Sequence, residues 1–370
     1  MRVAIVHDWL TNLGGAERLV LELLQMYPEA DLYTSVYNKK HLKLFRDYSV
    51  HTTFLQHWPL STRHQLYPVL RRLAMESIDF SEYDLVISST SAEAKGIITS
   101  ERTAHLCYMN TPTRYYWSHY DEYLESPGFG WLNPFVRLVL RSSIRSARYW
   151  DYAAAQRPDH IVANSGTIHA RVKKYYDRDS DVLYPAVDTI RFSEPHEKPV
   201  DAPDSYLIVV SRLIPYKRID LAVAAAQAAH RELVVIGNGS QMESLKKASN
   251  GTVHFKGALS DNEVVAYMQH ADAFLFPGLE DFGIAPVEAM AAGIPVIAYG
   301  EGGASETVLD KQTGILVPHQ SVRAFTLAIQ QLAKLKLDTG TIRARAEEFS
   351  SQHFQDNIRR AVKKTLALRS

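Results

Sequence analysis

One cysteine, Cys107, stands among 370 residues. No disulfide can form within the chain, and a metal site built from several thiolates is excluded. Net charge is also absent: 41 basic residues balance 41 acidic ones. A polyanion held by global charge is therefore not the expected partner, although a local basic patch is still allowed. No segment approaches the ~18 consecutive apolar residues of a membrane-spanning helix. The opening "MRVAIVHDWL" has a short apolar run and no small-residue cleavage site, so it reads as a strand and not as a secretory leader. With a single cysteine, this makes the cytoplasm the expected compartment. Repeats and low-complexity tracts are missing as well. What is there is ordinary for a soluble globular protein, with 46% hydrophobic and 22% charged residues and length for two or three domains.

The pattern along the chain is strand, turn, helix, repeated. Apolar strands are expected at 2–8, 83–90, 104–110, 158–165 and 180–187, with an amphipathic helix at 16–27 after the turn "TNLGG". Residues 188–205, rich in Pro, Asp and Glu and without periodicity, read as a linker. A second series follows, with strands at 205–213, 232–237, 253–257, 273–277 and 295–300. Short apolar strands alternating with helices imply parallel sheets covered on both faces. The expected architecture is α/β, with two doubly wound Rossmann-like domains and ligands outside the carboxyl ends of the strands, in the cleft between the domains. The boundaries are 1–190, 191–348 and a C-terminal amphipathic helix, 349–370, that crosses back to the first domain.

The chemistry concentrates in "PGLEDFGIAPVEAMAAGIPVIAYGEGG" (277–303). The strand "AFLFP" ends just before it, and "IAPVEAMAAG" begins a helix. A helix start leaves backbone N–H groups unpaired, which suits a phosphate. Gly283 lets the backbone come close. Glu280 stands before the helix and Glu288 about one turn inside it, and carboxylates accept hydrogen bonds from sugar and ribose hydroxyls. "SRLIPYKRID" (211–220) adds Arg212 at a strand end and Lys217 before a helix, two cations able to neutralise a leaving diphosphate. Gly14 and Gly15 offer further amides. Plainer readings stand beside these. The glutamates also fit as helix-start acids favoured by the dipole, the cations as surface charges, and the glycines as a tight turn.

Taken in order, Glu280 and Glu288 around "FGI", "EAMAAGIPVIA", Gly302-Gly303, "SRL" with Lys217, and "VVIGNGS" resemble the family 4 glycosyltransferases of the GT-B fold. With "TPTRYYW" (111–117), they are most similar to the bacterial GDP-mannose-dependent mannosyltransferases of O-antigen and exopolysaccharide assembly. The resemblance implies retaining, metal-independent transfer of a hexose, most readily mannose from GDP-mannose, to a glycan or lipid-linked acceptor. It implies that Arg212 and Lys217 hold the diphosphate, Glu280 the donor sugar and Glu288 the ribose. Amides of Phe282, Gly283 and Ile284 would serve phosphate or sugar oxygens, and Gly14 and Gly15 the phosphate from the first domain. The leaving phosphate takes the acceptor's proton, so no enzymic base is required. No cofactor beyond the nucleotide-sugar substrate is implied, and no nucleic acid.

Asn110 departs from the pattern, because relatives commonly have histidine there. It can hydrogen-bond a sugar hydroxyl but cannot carry a proton, and His119 lies near enough in sequence to compensate. Asp8, beside His7 at the first strand's end, either meets the acceptor or caps a turn. "DSD" (179–181) resembles a metal-binding triplet but precedes a strand, and "GNGSQM" lacks the third glycine of a dinucleotide fingerprint. Residues 130–150 carry Arg137, Arg141, Arg145 and Arg148 at helical spacing beside Trp131, Phe135, Val136 and Val139. This is either a surface for an anionic membrane at the inner face of the cell envelope or a solvated stripe; residues 62–75 pose the same choice. The rival functions are the same fold with a UDP-sugar, a sugar-nucleotide epimerase, and a silent donor-binding subunit.

Overall fold

The computed structural model describes residues 1–58, 67–125, 130 and 133–369. The chain divides into two units, Met1–Tyr184 with Gln355–Ser370, and Pro185–Phe354.

The first unit is built on a parallel sheet of β1 (Val3–His7), β2 (Asp31–Thr34), β3 (Val50–Thr52), β4 (Leu85–Thr90), β5 (Ala104–Met109), β6 (His160–Ala163) and β7 (Asp181–Val182). Their order is β3-β2-β1-β4-β5-β6-β7. The order reverses between β1 and β4, so loops after these two strands part and leave a crevice at their carboxyl ends. β1, β4 and β5 are buried throughout, which is why they read as largely apolar runs. β2 alternates half-buried and buried positions and β3 has no buried residue, so neither carries such a signal; the sequence reading omits them.

The C-terminal helix Ser351–Ala367 enters the first unit. Gln355 donates to Glu22 at 2.8 Å, Lys364 pairs with Asp181 at 2.6 Å, and Arg369 donates to Asp159 at 2.8 Å. Asp181, a member of the "DSD" triplet, is thereby engaged by Lys364, and by His160 at 2.9 Å.

The second unit repeats the architecture with β8 (Leu207–Val210), β9 (Leu233–Ile236), β10 (Val253–Gly257), β11 (Ala273–Phe276), β12 (Val296–Tyr299) and β13 (Gly314–Val317). The order is β10-β9-β8-β11-β12-β13, again parallel, with its switch point between β8 and β11. β13, absent from the sequence reading, is only "GILV".

Residues 188–205 are not a free connector. Asp188 caps a short helix, Thr189–Ser193, by accepting from the Arg191 amide at 3.2 Å, and Phe192 is buried. Val187 donates to the Phe349 carbonyl at 2.9 Å, and the Thr189 hydroxyl to Glu347 at 2.9 Å. One buried aromatic, one backbone hydrogen bond and one side-chain hydrogen bond fix a segment whose composition suggests a loop.

Candidate active site

In the second unit, glycines determine where the charged side chains stand. A Cβ on Gly237 would meet the Ser211 carbonyl oxygen at 1.9 Å, and one on Gly239 the Leu213 carbonyl oxygen at 2.2 Å. The two glycines let the loop after β8 lie flat on the loop after β9, locked by Ser211 N–H to Ile236 O at 3.0 Å and Leu213 N–H to Asn238 O at 2.9 Å. Leu213 is buried, while Arg212 points outward and donates to the Tyr216 hydroxyl at 3.2 Å. The chain then makes a tight turn, Pro215–Lys217, and Arg218 takes a left-handed conformation (φ 53°) before the helix Ile219–Ala228. Lys217 leaves this turn with its ammonium 5.3 Å from the Tyr216 ring centre.

The loop after β11 meets that turn. A Cβ on Gly278 would lie 3.1 Å from the Lys217 backbone, so the two loops touch through a glycine. From behind, Gly302 and Gly303 support it: their Cβ atoms would meet the Glu280 carbonyl oxygen at 2.4 Å and the Phe282 backbone at 2.2 Å. Gly303 also donates to the Glu280 carbonyl at 2.9 Å. Gly283 caps the helix Ile284–Ala291 at φ 84°, a conformation that disfavours any side chain. Phe282 is buried, its ring 5.7 Å from that of Phe349.

These constraints bring Lys217 and Glu280 into a direct ion pair, with side chains 14% and 20% exposed. Glu288, on the helix, lies 3.7 Å from Arg191, which also pairs with Asp261 at 2.6 Å. Arg191 is a residue the sequence reading missed, and Asp188 at a helix N-cap before "TIRF" was the available signal. Thus Arg212, Lys217, Glu280, Phe282, Gly283, Ile284 and Glu288 all sit on the loops after β8 and β11 or on the helix that follows β11, at the switch point of one sheet. Two cations, two carboxylates and an N-terminal helix turn can bind a phosphorylated, hydroxyl-rich ligand.

In the first unit, the candidates are tied to one another. The Gly14 N–H, assigned to a phosphate by the resemblance, donates to Glu17 Oε2 at 2.8 Å. Glu17 Oε1 lies 3.6 Å from His7 Nε2, and His7 Nδ1 donates to the Ser89 carbonyl at 2.9 Å. Burial pulls the imidazole pKa down, but the Glu17 carboxylate and Asp8 outweigh it, leaving His7 above its ordinary value. Asn110 donates to the Ser89 hydroxyl at 3.0 Å. Gly15 is exposed at the start of the helix Gly15–Met26. Asp8 is buried and accepts from the amides of Ser91 (2.6 Å) and Ala94 (2.7 Å) and the Thr90 hydroxyl (3.1 Å), which gives it the turn-capping role. His119 contacts the Ser118 hydroxyl at 2.7 Å.

The "TPTRYYW" segment rests on buried ions that the sequence reading did not find. Lys95 and Asp151 are both 0% exposed and pair at 2.7 Å. Thr113 bonds to both, and Trp117 and Tyr176 donate to Asp151 at 2.7 and 2.6 Å. Tyr115 joins a second buried pair, Arg71–Glu93 at 2.8 Å. Of the basic helix, observed at Asn133–Ala154, two arginines are occupied. Arg137 donates to the Leu124 carbonyl and Arg148 to that of Tyr116, at 2.9 and 2.7 Å. Arg141, Arg145, Phe135 and Leu138 are exposed, and Val136 and Arg137 are half-buried. Trp131 and residues 62–66 lie outside the described residues.

Residues 191–351 match the family model of the glycosyl transferases group 1. This match covers less than half of the chain. The group 1 match falls on the second unit and includes every one of its candidate residues. Over 177 residues the chain is 33% identical to the GDP-mannose-dependent alpha-(1-6)-phosphatidylinositol monomannoside mannosyltransferase of Mycobacterium tuberculosis, covering 41% of this chain and 46% of the relative. The chain thus spans about half the length of that relative. An alpha-1,3/1,6-mannosyltransferase of Saccharomyces cerevisiae is 24% identical over 97% of this chain and 85% of its own length. Among solved structures, Anabaena HepE in complex with UDP is similar at a TM-score of 0.70 and 17% identity, covering 98% of this chain and 100% of that one. Sucrose-phosphate synthase from Thermosynechococcus elongatus is similar at 0.75 and 16%, covering 99% and 100%. At these identities the structures establish the fold, which is GT-B.

Proposed function

We propose that this chain is a retaining hexosyltransferase of the group 1 family, whose second unit holds a nucleotide-sugar donor. The observation that carries the reading is the Lys217–Glu280 pair at the switch point, beside a helix that starts at Gly283. Lys217 and Arg212 would neutralise the diphosphate as it leaves, which is where preorganised charge lowers a barrier most. Glu280, in contact with Lys217, would take the hydroxyls of the sugar joined to that diphosphate. Glu288, one turn into the helix, would take the ribose, and the amides of Phe282–Ile284 the phosphate or sugar oxygens. With two cations on the leaving group, the reading requires neither a metal nor an enzymic base.

Mannose from GDP-mannose is the proposed donor, supported by the GDP-mannose dependence of the mycobacterial relative. A UDP-sugar is the second reading, favoured by the complexes of the Anabaena neighbour with UDP and UDP-glucose. The proposed acceptor is a glycan or lipid-linked saccharide. No described helix is long and apolar enough to cross a membrane. Phe135 and Leu138, 66% and 65% exposed beside Arg141 and Arg145, support peripheral contact with an anionic membrane.

The test is thermal stabilisation by GDP, UDP, GDP-mannose and UDP-glucose, repeated on Lys217→Ala. A ligand at 100-fold over its Kd adds ~2.7 kcal/mol. Stabilisation of the wild type by GDP and GDP-mannose alone, weakened in Lys217→Ala, is expected. Stabilisation by the uridine compounds alone would replace mannose with the second reading, and no shift with any of them would sink both.

A further inference from the structure

Arg191 is held more firmly than a surface arginine has reason to be. It sits on the helix Thr189–Ser193, whose Phe192 is buried and whose N-terminal side is tied to Glu347 and Phe349. Its guanidinium lies 4.7 Å from the Phe192 ring centre, which fixes the side chain's course. Nη1 donates to Asp261 Oδ2 at 2.6 Å, Nη2 lies 3.7 Å from Glu288 Oε1, and Nε lies 3.9 Å from Asp188 Oδ2. One cation therefore stands among three carboxylates from three segments. Glu288 is the one of the three that belongs to the candidate site.

A carboxylate that accepts hydrogen bonds from a ribose must be ionised and must keep one rotamer. A guanidinium behind it favours both, because an opposite charge stabilises the ionised form and a planar donor restricts rotation. We propose that Arg191 is a positioning residue for the nucleotide, holding the Glu288 carboxylate in the orientation that receives the ribose hydroxyls. The inference rests on the reading of Glu288 given above. It adds a residue that does not itself touch the ligand.

The test separates positioning from folding by comparing a ribonucleotide with its 2′,3′-dideoxy form. Calorimetry would give Kd for GDP or UDP, whichever the wild type binds more tightly, and for the dideoxy analogue. Hydrogen bonds to a charged group contribute about 1.5–3 kcal/mol each, so the wild type should prefer the ribonucleotide by about tenfold or more. Arg191→Gln should reduce that preference to about threefold or less while dideoxy affinity stays the same. Arg191→Lys should restore part of it, and Asp261→Asn, which leaves Arg191 to Glu288, should preserve it. An equal loss for both ligands in Arg191→Gln, with the ratio unchanged, would mean a structural role and overturn the inference. So would an unchanged ratio in a variant as heat-stable as the wild type. A wild type that binds nucleotide without preferring the ribo form would overturn it through Glu288. A wild type that binds neither GDP nor UDP would instead overturn the donor-binding reading itself.

Discussion

The two units share a sheet topology but keep their charges in different places. The first buries Lys95 with Asp151, Arg71 with Glu93, His7 with Glu17, and His105. In the second, among the described residues, Asp281 is the one buried charged side chain. Its core is apolar, and Lys217, Glu280 and Glu288 stand half-buried on loops and a helix start. Charges above an apolar core stand where solvent and a ligand can reach them, although Lys217 pairs with Glu280 and Glu288 lies near Arg191. Charges inside a core are committed to each other, because an unpaired buried ion costs several kcal/mol. In the first unit, the Lys95–Asp151 and Arg71–Glu93 pairs support the loop 111–117 from inside.

Breaking one buried pair is the harshest test of that difference. Asp151→Ala leaves the Lys95 ammonium without its counter-ion, and is expected to destabilise the first unit by about 3–5 kcal/mol. Lys217→Ala, at a partly exposed pair, should change stability by about 1 kcal/mol or less. Hydrogen exchange of the β4 and β5 amides reads the first effect, and of the β8 and β11 amides the second. Equal losses in the two units would remove the distinction.

A smaller effect sharpens it. Burial holds His105 neutral, with its pKa lowered from 6.5 to about 3. The unfolded chain binds a proton at this side chain below pH 6.5 and the folded chain does not until about pH 3. Its contribution to stability is therefore complete above pH 6.5 and declines as pH falls through this window. His105→Gln, which keeps a partner for the Ser88 hydroxyl, should lose less stability than the wild type between pH 6 and pH 4. Parallel denaturation curves would mean that His105 does not titrate in this way.

The same difference explains what was legible in the sequence. The second unit's candidate residues lie in two contiguous motifs, and the glycines that place them, from Gly237 to Gly303, are visible as letters. Local spacing is enough to single out Arg212, Lys217, Glu280 and Glu288 as candidates. Arg191 was passed over because Phe192, the residue that anchors its segment, is one aromatic in a run of Pro, Asp and Glu. The first unit's ions were beyond local reading. Lys95 sits among small residues in "AEAKG", and its partner Asp151 belongs to an arginine-rich helix far along the chain. β2 and β3 escaped for another reason: neither is buried throughout, so neither shows as an apolar run.

The most direct measurement is hydrogen exchange of the full-length chain with and without GDP-mannose, with UDP-glucose in parallel. Slower exchange at residues 211–218 and 278–288 on addition of one of these donors is the expected result. Exchange unchanged at both segments with either donor, or protection confined to residues 1–184, would contradict the claim that the second unit holds the nucleotide sugar.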